Sequence, residues 1–465
     1  MFSKKQFPVP CAAAGGVDTN HLCAGTSTAL RCPSHTAPTH MRLQSFNHPK
    51  IFAATPLRRL LIGYTVLRFC SLPWLVNPLV AWLRRSSAAR AGSLLDPSVW
   101  VSRRLVFPHF CAGEALEDVA RARADMGGVP VLLDHSVEEG ESELDWETNL
   151  ANKKELLRRC EEIGGVVGVP VKPTSLVSPL LLEELTRSIV AAEGEGEDAA
   201  VERALAADAS LRRAFDDADR NLAALCAEAL RIRVPLLLDA EQSHRQPAID
   251  VFAQRLQARF NGGEDGFATV SNTYQMYLTD APRRLARDLQ RAERGGYTFG
   301  AKLVRGAYLL DERQRESLPG ATVLRRKEDV DEAYDAASVA VLASIAQSRA
   351  SEGRAPRLLL ATHNRDSVRA AAEEAERLAI AADDPSLNFA QIMGMADNVT
   401  YALMGGGYNA SKLVLFGDFA QVFPWLLRRI DENRDMLSAA SQQREADLLA
   451  EEARRRMGFT PRPQD

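Results

Sequence analysis

Acidic residues are almost missing from the N-terminal fifth of this 465-residue chain. Between Met1 and Leu95 the only acid is Asp18, against Lys4, Lys5, Arg31, Arg42, Lys50 and six further arginines. The continuous apolar core of a secretory signal is missing there too, which excludes that class of leader. Seven cysteines form no C-x-x-C pair, so neither a disulfide framework nor a zinc site is expected, and no metal is assigned. A net charge of -4 gives no general case for nucleic-acid binding. A P-loop is absent. Two stretches match G-x-G-x-x-A, but "GEGEDA" (194–199) is acidic and follows a helical pattern, and "GGGYNA" (405–410) precedes a strand. A dinucleotide turn needs strand, glycines and then helix, so both are rejected.

What the leader does contain is Ser, Thr, Ala, Pro and basic residues. That is the composition of an organelle transit peptide, and residues 1–55 are read as a mitochondrial leader, with a merely disordered tail as the alternative. Residues 56–125 are read as an N-terminal helical region. Its segment "PLRRLLIGYTVLRFCSLPWLVNPLVAWLRR" (56–85) is the most apolar in the chain, but Arg68 and two prolines break it short of a membrane span. A helical hairpin packed on the domain and a face lying on a membrane surface both fit it.

From residue 126 onward, short apolar β-branched runs alternate with charged helical segments. The strands are expected at 129–134, 166–172, 234–240, 267–272, 299–305, 357–363, 387–393 and 412–418. Their near-continuous apolarity suits parallel strands buried on both faces. Eight such units point to an α/β fold, a distorted (βα)8 TIM-like barrel over 126–465. The stretch 180–233 is too long for one crossover and is read as a helical insertion, with "EGEGED" as a solvated acidic linker.

Chemistry in such a barrel gathers at the C-terminal strand ends. Those positions are polar here: Asp134, Lys172, Asp239 with Glu241, Asn272 with Gln275, Arg305 with Tyr308, His363 with Asn364, and Gln391. After the last strand comes "QVFPWLLRRIDEN". Arg428 and Arg429 fit either a surface pairing with Glu432 or a double clamp on a carboxylate. The run "FGAKLVRGAYLLDER" (299–313) sets Lys302 and Arg305 inside an apolar strand and closes on Gly306-Ala307-Tyr308. Snorkelling edge cations would explain this, and so would the close approach of a flat or anionic ligand.

Together "VPLLLDAEQSHRQPAID", "SNTYQMYLTDAPRRLARDLQRAERGGYTFGAKLVRGAYLLDER", "LLLATHNRDSV" and "NFAQIMGMADNV…WLLRRIDEN", with "FCAGE" at 110–114, resemble the proline dehydrogenase (proline oxidase) family in its eukaryotic mitochondrial branch. The resemblance implies a flavoenzyme. It would use FAD to oxidise L-proline to Δ1-pyrroline-5-carboxylate by hydride transfer to flavin N5, as the first step of proline catabolism. Electrons would pass to a membrane quinone, with the protein on the matrix side of the mitochondrial inner membrane, peripherally attached. The resemblance implies catalytic positions at Asp239, Lys302 and Thr400. It puts the substrate carboxylate on Lys172, Arg428 and Arg429, and makes Tyr308 a wall of the ring pocket. FAD contacts are implied at Ala240, Asn272, Arg305, Gly306, Ala307, Thr362 and His363. Lys302 replaces an Arg of bacterial members, Trp425 a pocket Tyr, and Thr400 a Tyr or Ser. The small hydroxyl residue at Thr400 leaves room for a ring substituent, so hydroxyproline dehydrogenase is the alternative within the family. A non-catalytic flavin- or amino-acid-binding barrel and a flavin-free barrel hydrolase or lyase are the alternatives outside that activity.

Overall fold

The computed structural model describes residues 43–48, 50–72, 102–135, 140, 142–192, 196–314, 322–351, 353–419, 421–423 and 440–459. Strand β1 is Cys111–Gly113, β2 Val131–His135, β3 Val166–Val171, β4 Leu236–Leu238, β5 Val270–Gln275, β6 Gly300–Val304, β7 Arg357–Ala361, β8 Leu387–Ile392 and β9 Ala410–Phe416. Strands β2 to β9 pair in sequence order, all parallel, and β9 pairs back onto β2, which closes an eight-stranded barrel; β1 is a short extra strand beside β9. All eight expected barrel strands are present. The fifth of the nine, β5, starts three residues later than expected, because Asn261 receives the N–H of Val270 and donates to its carbonyl there. Phe267 instead lies in the preceding loop under the Arg233 guanidinium.

The helices used below are α1 (Leu57–Cys70), α2 (Leu116–Asp125), α3 (Glu143–Arg158), α4 (Pro179–Ala191), α5 (Glu197–Ala207), α6 (Ala209–Ile232), α7 (Gln246–Phe260), α8 (Ala281–Gly295), α9 (Leu309–Gln314), α10 (Lys327–Ala350), α11 (Arg365–Arg377), α12 (Asp397–Gly405) and α13 (Ala440–Arg456). Side-chain caps start several of them: Ser142 for α3, Asp208 for α6 and Asn364 for α11 each accept an N–H of the first turn. Three helices, α4 to α6, run between β3 and β4. The acidic residues at the start of α5 are not simply solvated: Glu197 pairs with Arg287 and Asp198 with Arg291 at 2.5 Å, tying α5 to α8. Two arginines facing that helix start change a wet linker into a cross-brace.

Helix α1 buries Leu60, Gly63, Val66 and Leu67, and Leu60 and Leu67 share a cluster with Leu448, Leu449 and Ala453 of α13. This is the packed half of the apolar 56–85 segment; residues 73–85 lie outside the described residues. No described helix is long and apolar enough to cross a membrane.

Inside the barrel Leu132, Leu237, Leu359 and Ala390 meet, with Leu413 against them, one residue from each of β2, β4, β7, β8 and β9. This apolar layer is a floor, not a pore. Because side chains alternate along a strand, the residues two further on from Leu132 and Leu237, namely Asp134 and Asp239, point to the same interior side. Lys302 stands in register between Thr273 and Leu359, so it too belongs to the interior face.

Candidate active site

Two carboxylates and two lysines meet at the C-terminal rim. Lys302 of β6 donates to Asp239, one residue past β4. Lys302 is 11% exposed and Asp239 35%, so the acid is the open member of the pair. Across the rim Asp134 accepts from Lys153 at 3.5 Å, and Lys153 also donates to the carbonyls of His135 (3.3 Å) and Pro170 (3.2 Å). Burial pushes the Asp134 carboxyl up; Lys153 opposes this and the charge of Asp239 reinforces it. Lys153 was not singled out in the sequence. It does carry a signal: Asn149, Lys153, Leu156 and Leu157 share the buried face of α3, so a lysine occupies a core-facing position.

Lys172 follows β3, half-buried, and its charge reaches Glu241 beyond β4. Glu241 is fully buried and accepts both the Thr174 N–H (2.9 Å) and the Thr174 hydroxyl (3.0 Å). Burial pushes its carboxyl up, against those hydrogen bonds and Lys172. Ala240 lies buried between the two acids. Gln275, at the end of β5, donates to the Glu241 carbonyl (2.8 Å) and accepts the Ala307 N–H (2.9 Å).

The two cations of the 299–313 run separate. Lys302 points in. Arg305, an odd number of residues later, points out and bonds Asp331 (2.7 Å), Ser367 (2.8 Å) and Thr362, with Tyr334 stacked 4.4 Å from it. Any cofactor contact at Arg305 is therefore left to its backbone. Gly306 has φ 148, and a Cβ there would lie 1.3 Å from a Tyr277 ring carbon. Glycine is thus required by the Tyr277 ring as well as suited to a close ligand. Tyr308 follows, half-buried.

After β7, Thr362 accepts from Arg305 and from the Asn364 N–H (3.1 Å). His363 Nε2 accepts the Ile392 N–H at 3.0 Å, which fixes the neutral tautomer with its proton on Nδ1. Burial, then the charges of Lys412 and Arg305, push its pKa down to about 3.

Two expected positions do not reach the mouth through their side chains. Asn272 is 1% exposed and faces the helices, donating to Asp250 (2.9 Å), as the pleat of β5 requires when Thr273 and Gln275 face in. Thr400 is fully buried on α12 and donates to Gln391 at 2.7 Å; Gln391 in turn donates to the Thr362 carbonyl. Thr400 is thus tied to the barrel wall through Gln391 and exposes no surface of its own. Trp425, Arg428 and Arg429 lie outside the described residues.

The comparisons agree with one another. The family model described as "Proline dehydrogenase" matches residues 115–442. The hydroxyproline dehydrogenase of Bos taurus is 33% identical over 428 residues, covering 84% of this chain and 89% of the relative. Proline dehydrogenase 1, mitochondrial, of Arabidopsis thaliana is 28% identical over 458 residues, 92% of this chain and 89% of the relative. Among solved structures, proline utilization A (PutA) of Bdellovibrio bacteriovorus inactivated by N-propargylglycine superposes with a TM-score of 0.58 at 20% identity, over 79% of this chain and 37% of that one. That likeness concerns the fold, and the chain spans little more than a third of the PutA protein. With 33% identity across most of a curated relative and a family model spanning the barrel, this chain is a member of the proline dehydrogenase family of oxidoreductases.

Proposed function

We propose that this protein oxidises L-proline to Δ1-pyrroline-5-carboxylate with bound FAD in the mitochondrion. The observation that carries the reading is the Asp239–Lys302 pair standing over an apolar barrel floor in a chain of this family. The lining fits a flat ring system: an interior lysine, a half-open carboxylate, the apolar layer below, and a glycine at Gly306 where the backbone can come close. FAD would lie along Ala240, Lys302, Gly306, Ala307, Thr362 and His363, with Asn272 and Arg305 supporting from behind the strands. When bound, the flavin accepts the hydride and carries the redox chemistry.

The protein's own part is binding and orientation. Lys172, with Arg428 and Arg429, holds the substrate carboxylate; charge-assisted hydrogen bonds of this kind contribute about 1.5–3 kcal/mol each. A pinned carboxylate leaves the pyrrolidine ring one orientation against the wall at Tyr308, and positioning of this kind is a large part of the rate gain. Lys302 places fixed positive charge where negative charge develops during the reaction, and Asp239 holds that lysine in place. Neutral His363 offers a donor at Nδ1 without adding charge. A membrane quinone as acceptor and a site on the matrix face of the inner membrane complete the reading. The mitochondrial names of plant relatives and the basic, acid-poor N-terminal stretch support the mitochondrial part of that reading.

A second reading is favoured by one observation: relatives named hydroxyproline dehydrogenase, from Bos taurus and Homo sapiens, are 33% identical, against 28% for the Arabidopsis thaliana proline dehydrogenases. Steady-state turnover with an artificial electron acceptor on L-proline and on trans-4-hydroxy-L-proline separates the two. A higher kcat/KM on L-proline is expected. A clear excess on hydroxyproline would transfer the assignment to the second reading.

A further inference from the structure

Among the described residues most buried carboxylates meet a guanidinium: Asp250 pairs with Arg284, Asp288 with Arg287, Asp384 with Arg349 and Glu452 with Arg455. Glu312 does not follow that rule. It sits on the short helix α9, 2% exposed, and among the described residues both of its oxygens are held by one neutral residue. The Ser243 N–H reaches Oε1 at 2.6 Å and the Ser243 hydroxyl reaches Oε2 at 2.7 Å. Desolvating a carboxylate against a serine is unfavourable unless the contact is well made. Ser243 belongs to the loop that follows Asp239, and Glu312 to the loop that carries Tyr308.

The two loops are therefore joined at two levels. Gln275 joins them at the strand ends through the Glu241 carbonyl and the Ala307 N–H. Ser243 and Glu312 join them further out. The Glu312 N–H also donates to the Tyr308 carbonyl at 2.9 Å, so Glu312 stands one helical turn beyond Tyr308. We propose that Glu312 is a positioning residue: by latching the loop after β6 onto the loop after β4 through Ser243, it sets the distance between the pocket wall at Tyr308 and Asp239. This rests on the reading of Tyr308 as a wall of the substrate pocket. The contact joins a carboxylate to neutral donors, so it can open without separating an ion pair, which suits a loop that has to admit substrate.

The test uses the FAD-loaded full-length enzyme with Glu312→Ala, Glu312→Gln and Ser243→Ala. Glutamine keeps an acceptor for the Ser243 N–H and a polar partner for its hydroxyl, so Glu312→Gln is expected to stay near wild type. Glu312→Ala is expected to raise KM for the substrate roughly tenfold or more, with FAD loading and kcat much less affected. An unchanged KM in flavin-loaded Glu312→Ala, or equal damage in the Gln and Ala variants, overturns the proposal. Should Glu312→Ala fail to fold, Ser243→Ala decides: a smaller rise in KM supports the latch, and no rise overturns it. Hydrogen exchange provides a readout independent of substrate identity. Faster exchange of amides 306–314 in Ser243→Ala, with β8 unchanged, supports the latch even if L-proline proves the wrong substrate. Unchanged exchange in that loop overturns it whatever the substrate is.

Discussion

Lys302 and Arg305 leave one strand three residues apart and end on opposite sides of the barrel wall. Lys302 turns in to Asp239; Arg305 turns out to Asp331, Thr362 and Ser367. The pleat alone separates their roles: one lysine for the site, one arginine for the scaffold.

Their substitutions should diverge accordingly. Lys302→Met is expected to lower kcat about 100-fold or more while the protein stays folded, since it removes charge at the reacting centre. Arg305→Met is expected to lower stability by roughly 1–3 kcal/mol, because it removes the guanidinium that Asp331, Thr362 and Ser367 share. Its turnover per bound flavin should remain near wild type. Thermal melts beside flavin-normalised kinetics check both.

A second prediction concerns the carboxylate clamp. Lys172→Met, Arg428→Met and Arg429→Met should each raise KM roughly tenfold or more, by loss of a charge-assisted hydrogen bond, with FAD retained. Loss of flavin at unchanged KM would contradict the clamp.

The polar layer behind β5 is a purely structural target. Arg284 bonds Asp250 at 2.6 Å and Asp280 at 2.9 Å, and Asp250 also receives Asn272 and Gln246. Removing one member leaves a buried charge alone, which typically costs about 3–5 kcal/mol. Arg284→Met should show this in urea unfolding. Arg68→Met, whose pair with Asp447 is nearly half exposed on both sides, should show much less.

Stability should also depend on pH through Glu445. This residue of α13 accepts the Asp397 N–H at 2.8 Å, deep between α12 and β9. Burial, then the charge of Asp397, push its carboxyl up from 4.5 to about 7, against Lys412 and Arg365. The folded state therefore keeps a proton that the unfolded chain has released, so stability falls as pH rises from about 4.5 through about 7. Glu445→Gln removes that fall. The variant should be more stable than wild type at pH 8, and the difference should shrink toward pH 5. A constant difference across that range would contradict the assignment.

Much of this was legible in the chain itself. Eight β-branched runs separated by amphipathic segments identify a closed parallel barrel, and strand-end residues such as Asp134 and Asp239 follow from counting outward along them. Sidedness was harder. Asn272 sits in the right neighbourhood yet faces the helices, because one residue of register decides between mouth and wall, and Thr400 points from α12 onto Gln391 of β8. Lys153, Ser243 and Glu312 are harder to read, since their partners come from other elements: Asp134, 19 positions from Lys153, and Ser243 and Glu312 each other across 69. The periodicity of α3 marks Lys153 as core-facing without naming its partner, and a glutamate on the short helix α9 carries no signal until the fold brings Ser243 close.

The proposed function requires this barrel to bind FAD and to take a hydride from a proline-type substrate. Anaerobic addition of L-proline to the purified, FAD-loaded protein tests it most directly, followed by visible flavin absorbance. Bleaching of the flavin band is predicted, and Lys172→Met should require more proline for the same bleaching. A yellow protein that neither L-proline nor trans-4-hydroxy-L-proline bleaches, or a folded protein that takes up no FAD, would contradict the account.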